Sequence, residues 1–366
     1  RRRKDEKLAF KAREAGIPGY FKKCSSCGRF PVTRYDKDYP EEDEKWVCEA
    51  CYRKREKHRH LRSDGDYLEE AMIIKDIIMD KDGKEDYLTI LYIDGHDIGS
   101  ILENCKTVDE LKKIAELFAQ AIKNSVQKAV TKENLEKKYL NPVLGGDDII
   151  LFIPSKKTYK VLTNLLEEFK KAINYNSKLG NFRLDIGLLI ADGHLPVRYL
   201  FNYATALMKS AKSLSYKYQI EKKENHDTID YMIIKGGSPL NLDIKNLRKK
   251  EYCMKISPAE EYQLTKKPYI WKQFCCLLDK LRELKKIPAS KIYIIYEHLL
   301  ENPEVARLNI MYQVIRSEEW RRLLTSATKG NDLKKWESFF IEKKDSRYIT
   351  DFLDVVELYK LDWEGL

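Results

Sequence analysis

Two adjacent carboxylates, Asp147 and Asp148, follow the glycine pair Gly145-Gly146 and separate two apolar runs, Pro142-Val143-Leu144 and Ile149-Ile150-Leu151-Phe152-Ile153. Apolar residues that reach a glycine pair and resume directly after two acids predict a β-hairpin with a tight turn. Adjacent anions on a turn repel each other unless a cation neutralises them. The pattern therefore points to a divalent metal site, with a plain polar turn as the alternative. A third acid fits the same chemistry. The apolar, β-branched and aromatic run Tyr87-Leu88-Thr89-Ile90-Leu91-Tyr92-Ile93 reads as a strand buried on both faces and ends in Asp94. If that strand lies beside the hairpin, Asp94 faces Asp147 and Asp148. Such a carboxylate cluster can hold two Mg²⁺ or Mn²⁺ ions for nucleotidyl transfer.

Four cysteines carry a second chemistry. Cys24 and Cys27 form one CxxC pair, and Cys48 and Cys51 form another after a spacer of twenty residues. Two such pairs at this separation predict a four-thiolate structural zinc site with no position left for a catalytic water. Gly28 follows the first pair, where a knuckle turn calls for positive φ. Two disulfides are the competing reading, disfavoured because nothing in the chain suggests secretion. Arg53, Lys54, Arg55, Lys57, His58, Arg59, His60 and Arg62 follow the tetrad. They fit phosphate contacts or an exposed basic helix equally well. Cys105, Cys253, Cys275 and Cys276 lack metal spacing and are expected to be buried thiols.

The elements that position these groups follow from periodicity. After the Asp94 strand comes an amphipathic helix over about 108–130, then the hairpin, and then a helix over about 156–174. A strand over about 182–191, a helix over about 197–214 and a strand over about 229–234 complete the series. The order β-α-β-β-α-β is the ferredoxin-like split motif, which also underlies the palm of many polymerases and nucleotide cyclases. In it the first strand and the central hairpin are neighbours, so element order independently predicts that Asp94 meets the Asp147-Asp148 turn. The Asp80-Lys81-Asp82-Gly83 turn lacks the other ligands of a calcium loop and reads as a connector. Beyond the breaker cluster Gly236-Gly237-Ser238-Pro239, apolar residues recur at helical spacing. The fold class is thus α+β, in three parts: a zinc-stapled helical segment (1–80), a ferredoxin-like palm (81–236) and an α-helical bundle (237–366).

Composition sets bounds. The 366 residues are 34% charged and 43% hydrophobic, which fits a globular chain and not a disordered one. No apolar run reaches the ~18 residues of a membrane span, and there is no secretory signal, so a cytoplasmic location with no membrane partner is expected. The net charge of +10 fits an anionic partner such as nucleic acid or nucleotide. The chain starts at Arg1 without a methionine, and a fragment of something longer is expected.

The tetrad, the Asp94 strand, the Gly145–Asp148 turn and the helical tail, in this order, resemble the C-terminal half of the large palm-polymerase subunit of type III CRISPR effector complexes. The resemblance spans about 20–360 and is most specific at the cysteines, at 94–99 and at 144–152. It implies ATP-dependent synthesis of cyclic oligoadenylate, with Asp94, Asp147 and Asp148 as ligands of Mg²⁺ or Mn²⁺. It implies that Gly145 and Gly146 allow close approach of a nucleotide, and that Lys212, or Lys209 on the same helix, meets the triphosphate. The implied partners are other subunits of the ribonucleoprotein, guide and target RNA, and a second palm from an N-terminal half or a second copy. One departure is clear: where the family often has a second acid two residues after the first, this chain has His96, with Asp97 next. The nuclease domain and additional palm that usually come first are absent from the sequence, and no nuclease activity is expected of it. Two other readings compete: a nucleotide cyclase of diguanylate type, and a non-catalytic zinc-containing RNA-binding scaffold, which the 23 tyrosines and the basic surplus would suit. Diguanylate-type enzymes usually continue the turn with Glu-Phe, whereas this chain has Asp148-Ile149.

Overall fold

A computed structural model describes residues 23–39, 42–63, 71, 73–80, 82–96, 103, 105–145, 148–174, 182–234, 243–257, 260–326, 341–343 and 347–366. The chain divides into two compact units, Arg1–Met72 and Ile73–Leu366. In the first unit, β1 (Arg34–Tyr35) pairs antiparallel with β2 (Trp46–Val47), and α1 (Glu49–Ser63) follows. Among the described residues its core is small: Val47 and the buried Cys24 and Cys48 pack with Cys27, Cys51 and Tyr52.

The second unit opens with the short α2 (Ile74–Ile78), β3 (Leu88–His96) and α3 (Val108–Lys132). The hairpin of β4 (Leu140–Gly145) and β5 (Asp148–Pro154) comes next, followed by α4 (Thr158–Asn174) and β6 (Arg183–Ala191). The crossover helix α5 (Val197–Lys222) then leads to β7 (Thr228–Ile234). Beyond these lie α6 (Ile244–Glu251), β8 (Cys253–Ser257), β9 (Glu260–Gln263), β10 (Tyr269–Ile270) and α7 (Trp271–Leu284). The chain continues through α8 (Ala289–Glu301), α9 (Pro303–Arg316), α10 (Glu318–Ser326), β11 (Ile341–Lys343), β12 (Arg347–Ile349) and α11 (Phe352–Tyr359).

The main sheet has the order β10-β7-β6-β3-β5-β4, with β3 antiparallel to both β5 and β6 and β7 parallel to β6. Its β6-β3-β5-β4 core is the ferredoxin-like arrangement expected from element order. Every residue of β3 is buried except the half-buried Tyr92, as an apolar run at the centre of a covered sheet requires. Pro142 lies in β4 at the sheet edge, where a missing N–H is tolerated. Strand alternation separates two faces. Thr89 meets Thr158 of α4 on one face, where Phe118, Phe169 and Phe182 also pack edge to face with centroids 4.5–5.7 Å apart. Tyr92, Asp94 and His96 turn to the other face, against α5.

Helix α5 is longer than periodicity suggested, ending at Lys222 and not near Leu214, because no breaker occurs before Lys223, whose left-handed φ of 56° closes it. It presses closely on the sheet. A methyl group at Gly187, the cross-strand partner of Tyr92, would lie 2.4 Å from the Ala204 carbonyl oxygen and 2.5 Å from the Met208 backbone nitrogen. Gly187→Ala is therefore expected to lift α5 from β6 and cost about 1–3 kcal/mol. An unchanged thermal midpoint would contradict this close packing.

The C-terminal part is helical, as expected, and adds a four-stranded sheet in the order β11-β12-β9-β8. Its strands are only three to five residues long, too short for alternation to announce them, and its two halves meet through the distant parallel pair β9–β12. The thiols also differ from expectation. Cys276 is exposed and Cys105, Cys253 and Cys275 are only partly buried. Phe274, Leu277 and Leu278 take the inward side of α7, which turns the two residues between them outward.

A buried polar network joins this part to the palm sheet. Tyr231 of β7 donates to the Asp354 backbone carbonyl, and Arg248 grips Asp230 through two bonds of 2.8 and 2.5 Å. The Asp354 carboxylate accepts from Thr265 Oγ1, the Lys266 backbone N–H and the Tyr269 hydroxyl. Burial pushes its pKa up to about 6, with Lys267 opposing and Glu357 adding to the rise. The folded state thus holds this proton more tightly than the unfolded chain, so this group favours folding increasingly as pH falls from about 6 towards 3.8. Asp354→Asn, which turns an –NH₂ towards donors, is expected to lose roughly 2–4 kcal/mol at neutral pH. Because asparagine does not titrate, its deficit against wild type should widen on acidification through that window. Denaturant melts at pH 7.5 and 5 read both effects, and a gap that shrinks would contradict the assignment.

Candidate functional site

The β3–β5 ladder runs from Leu88↔Pro154 to Ile93↔Ile149. One residue further on each strand stand Asp94 and Asp148, at the same end and on the same face of the sheet. On the far side of the hairpin, Asp148 pairs with Gly145, leaving a two-residue tip at 146–147. Gly146 and Asp147 lie outside the described residues. Asp94 is nearly buried, and Lys212 of α5 reaches it with Nζ 2.5 Å from Oδ2. Burial works against the Lys212 ammonium, but the hydrogen bond and charge of Asp94, with help from Asp185, leave its pKa raised. Asp94, Asp148 and Lys212 are therefore brought to one end of the sheet, whereas Lys209 on the same helix is exposed.

Two further polar residues belong to this corner. Asp185 of β6 is the direct cross-strand partner of Asp94 on the side away from Asp148, and it is fully buried. His96 Nδ1 donates to Asp185 Oδ2 at 3.0 Å, and Thr228 Oγ1 donates to Asp185 Oδ1 at 2.6 Å. The His96 ring packs against Tyr216, and its Nε2 lies 3.4 Å from Gln219 Oε1. The residue at the departing position thus anchors to the interior aspartate and to α5. Sequence reasoning did not single out Asp185. Its signal was a lone acid inside the apolar run 182–191, which alternation assigns to the face of Gly187.

The four cysteines converge in the first unit, their sulfurs all within 4.8 Å of one another. The Cys27 and Cys48 sulfurs are 3.9 Å apart, too far for a disulfide. Sulfurs at the corners of a tetrahedron with ~2.3 Å metal–sulfur bonds would be roughly 3.8 Å apart, so the donor set fits a tetrahedral metal. The first knuckle is built by Cys24 N–H donating to Phe30 O and Gly28 N–H to Cys24 O, with Gly28 at φ +63° as its turn requires. Burial raises the Cys24 thiol, but hydrogen bonds from the Cys48, Cys27 and Ser26 backbones and the Cys27 side chain outweigh it, lowering it to about 6. Burial and the neighbouring sulfurs push Cys51 up to about 12. One thiolate forms readily and the last resists, as expected of crowded sulfurs without a cation. Part of the basic run after the tetrad is structural: Arg59 pairs with the buried Asp36 at 2.9 Å, and Arg55 stacks on Tyr39 at 3.6 Å.

The family model of the Cas10/Cmr2 second palm domain matches residues 87–221. This segment is thus similar to the second palm domain of Cas10/Cmr2. The match includes β3, the hairpin and nearly all of α5, and so takes in Asp94, Asp148, Asp185 and Lys212. Among solved structures, the chain is similar to Csm1 in T. onnurineus at 13% identity and TM-score 0.45, covering 75% of this chain and 38% of that one. A Csm1-Csm4 cassette in complex with cA4 matches at 12% identity and TM-score 0.44, covering 74% and 38%. The Csm1-Csm4 subcomplex of the type III-A CRISPR-Csm interference complex matches at 14% identity and TM-score 0.38, covering 74% and 37%. The chain thus spans less than two fifths of the length of these structures. No curated protein matches it. No described helix is long and apolar enough to cross a membrane.

Proposed function

We propose that the chain is the catalytic palm portion of a type III CRISPR effector subunit and makes cyclic oligoadenylate from ATP. The observation that carries this reading is the alignment of Asp94 with Asp148 across the β3–β5 ladder, capped by Lys212, inside the segment matched to the Cas10/Cmr2 second palm. Mg²⁺ or Mn²⁺ bound by Asp94, Asp147 and Asp148 would lower the pKa of an attacking hydroxyl and offset the charge of the leaving pyrophosphate. The ribose 3′-oxygen of one ATP bonds to the α-phosphorus of the next, the α–β bridging bond breaks, pyrophosphate leaves and the hydroxyl proton passes to solvent.

The chain's own part is positioning. Asp94 and Asp148 are set by register at the mouth of the sheet, and Asp185 with His96 holds the adjoining strand ends and α5 in place. Lys212 pairs with Asp94 in the metal-free state and is within reach of a phosphate once that carboxylate binds a cation. Gly145 and Gly146 would admit the nucleotide close to the backbone. The cysteine tetrad holds zinc as a structural staple. Head-to-tail joining of two ATP molecules calls for a facing palm, supplied by an N-terminal half or a second copy, within a complex that carries guide and target RNA.

The test is incubation with ATP or GTP and Mg²⁺ or Mn²⁺, read by mass spectrometry, beside an Asp147→Ala, Asp148→Ala variant. Cyclic adenylates from wild type alone are expected. Products from GTP instead would move the chain to the diguanylate group. If the chain alone is silent, the full effector complex with target RNA is assayed, and silence there overturns the enzymatic reading in favour of a scaffold.

A further inference from the structure

Helix α5 has a second functional side. Lys212 faces the acidic end of the sheet, whereas the last two turns of the same helix wall a cavity of about 480 Å³ closed by the 263–280 segment and by Ile349 and Asp351. That volume lies in the range of small-molecule sites, roughly 300–1,000 Å³. Its lining combines two chemistries. Four lysines, Lys217, Lys222, Lys266 and Lys280, oppose two carboxylates, Glu221 and Asp351. Lys280 binds both Asp351 oxygens at 2.9 and 2.7 Å and Lys266 binds one at 3.2 Å, so two ammonium groups share one carboxylate and the floor stays positive. Lys217 and Lys222 are exposed on the opposite wall, with Lys222 resting on the Tyr218 ring at 4.5 Å. Between these cations lie apolar surfaces from Leu214, Pro268 and Leu277 and the side-chain amides of Gln263 and Gln273.

We propose that this cavity is a nucleotide-binding site separate from the Asp94–Asp148 site, taking the phosphates on its lysines and the base against the Tyr218–Pro268 wall. A surplus of ammonium groups selects a multiply charged phosphate ligand. The Tyr218 ring, met edge to face by His226 at 5.4 Å and otherwise covered by the flexible Lys222 chain, offers a base a stacking face where that chain lies. The Gln273 amide supplies a donor and an acceptor for a base edge, and Gln263, whose nitrogen already donates to the Thr265 carbonyl, adds an acceptor oxygen. The single-nucleotide size favours a mononucleotide over an extended strand. The inference stands on the cavity and its charge, and is independent of the chemistry proposed for the sheet end.

Calorimetric titration with ADP in magnesium-free buffer tests it without turnover. Saturable one-to-one binding is expected, weakened about tenfold by Lys217→Ala with Lys222→Ala, and about a hundredfold by the corresponding double glutamate. Lys112→Glu with Lys113→Glu, equally exposed on α3, should bind as wild type. Photolabelling with 8-azido-ADP should mark peptides within 214–222 or 263–277. Failure to bind, equal binding by the pocket variants, or label confined to other segments would overturn the proposal. Inorganic pyrophosphate competing as tightly as ADP would overturn the nucleotide assignment, since the base would then contribute nothing.

Discussion

Asp94→Asn is expected to reduce metal-dependent ATP turnover by at least about 10³-fold, ~4 kcal/mol of barrier, with the fold retained. The substitution keeps shape and removes the charge from the nearly buried carboxylate that Lys212 reaches at the sheet end. A neutral amide is a poor ligand for a hard cation, which prefers charged oxygen donors. Stability should change less than activity. Lys212, partly buried, loses its anion, a cost of about 1–3 kcal/mol. Lys212→Ala strands Asp94 in turn, and the double variant should recover part of each loss, giving a measurable coupling energy. The Lys212 pKa is raised above its ordinary 10.5, so this pair's contribution to stability is complete at neutral pH and is lost only as pH climbs through that raised value. Turnover within tenfold of wild type in Asp94→Asn would remove Asp94 from the metal site.

Stripping the metal from the cysteine tetrad, or replacing Cys48 by alanine, should unfold the 23–63 segment and spare the palm unit. Its two strands have two residues each, and its apolar core holds little beyond Val47, Tyr52 and the cysteines themselves. Segments of that size gain most of their folding free energy from the ion, on the order of 10 kcal/mol or more in zinc-finger peptides. The palm has its own core of α3, α4 and α5 on a six-stranded sheet and is expected to fold without the tetrad. Hydrogen exchange before and after chelation should therefore show protection lost over 23–63 and kept across β3 and β6. Protection that persists in the first unit would mean that hydrogen bonds and the Asp36–Arg59 pair suffice without metal.

What could be read from the chain alone was whatever depends on neighbours in sequence. The strand at 87–94, the hairpin, the amphipathic helices at about 108–130 and 156–174 and the metal-ready cysteine spacing all follow from local alternation, breakers and short-range pairing. The order of those elements was enough to put Asp94 beside Asp148, because few topologies accommodate it. Other features are decided by register between distant segments. Asp185 becomes a partner of Asp94 only because β6 aligns beside β3 at one register, 91 residues away in sequence, and a slip of one residue would turn it to the other face. Lys212 is selected over Lys209 by the rotation of α5, which the close contact at Gly187 sets. The small C-terminal sheet, the Asp354 network and the lysine-lined cavity join distant segments, Tyr231 and Asp354 being 123 residues apart. Sequence therefore determined which chemistry the chain can carry, while only tertiary packing decided which side chains meet, because contacts between distant segments depend on register and helix rotation and leave no periodic trace.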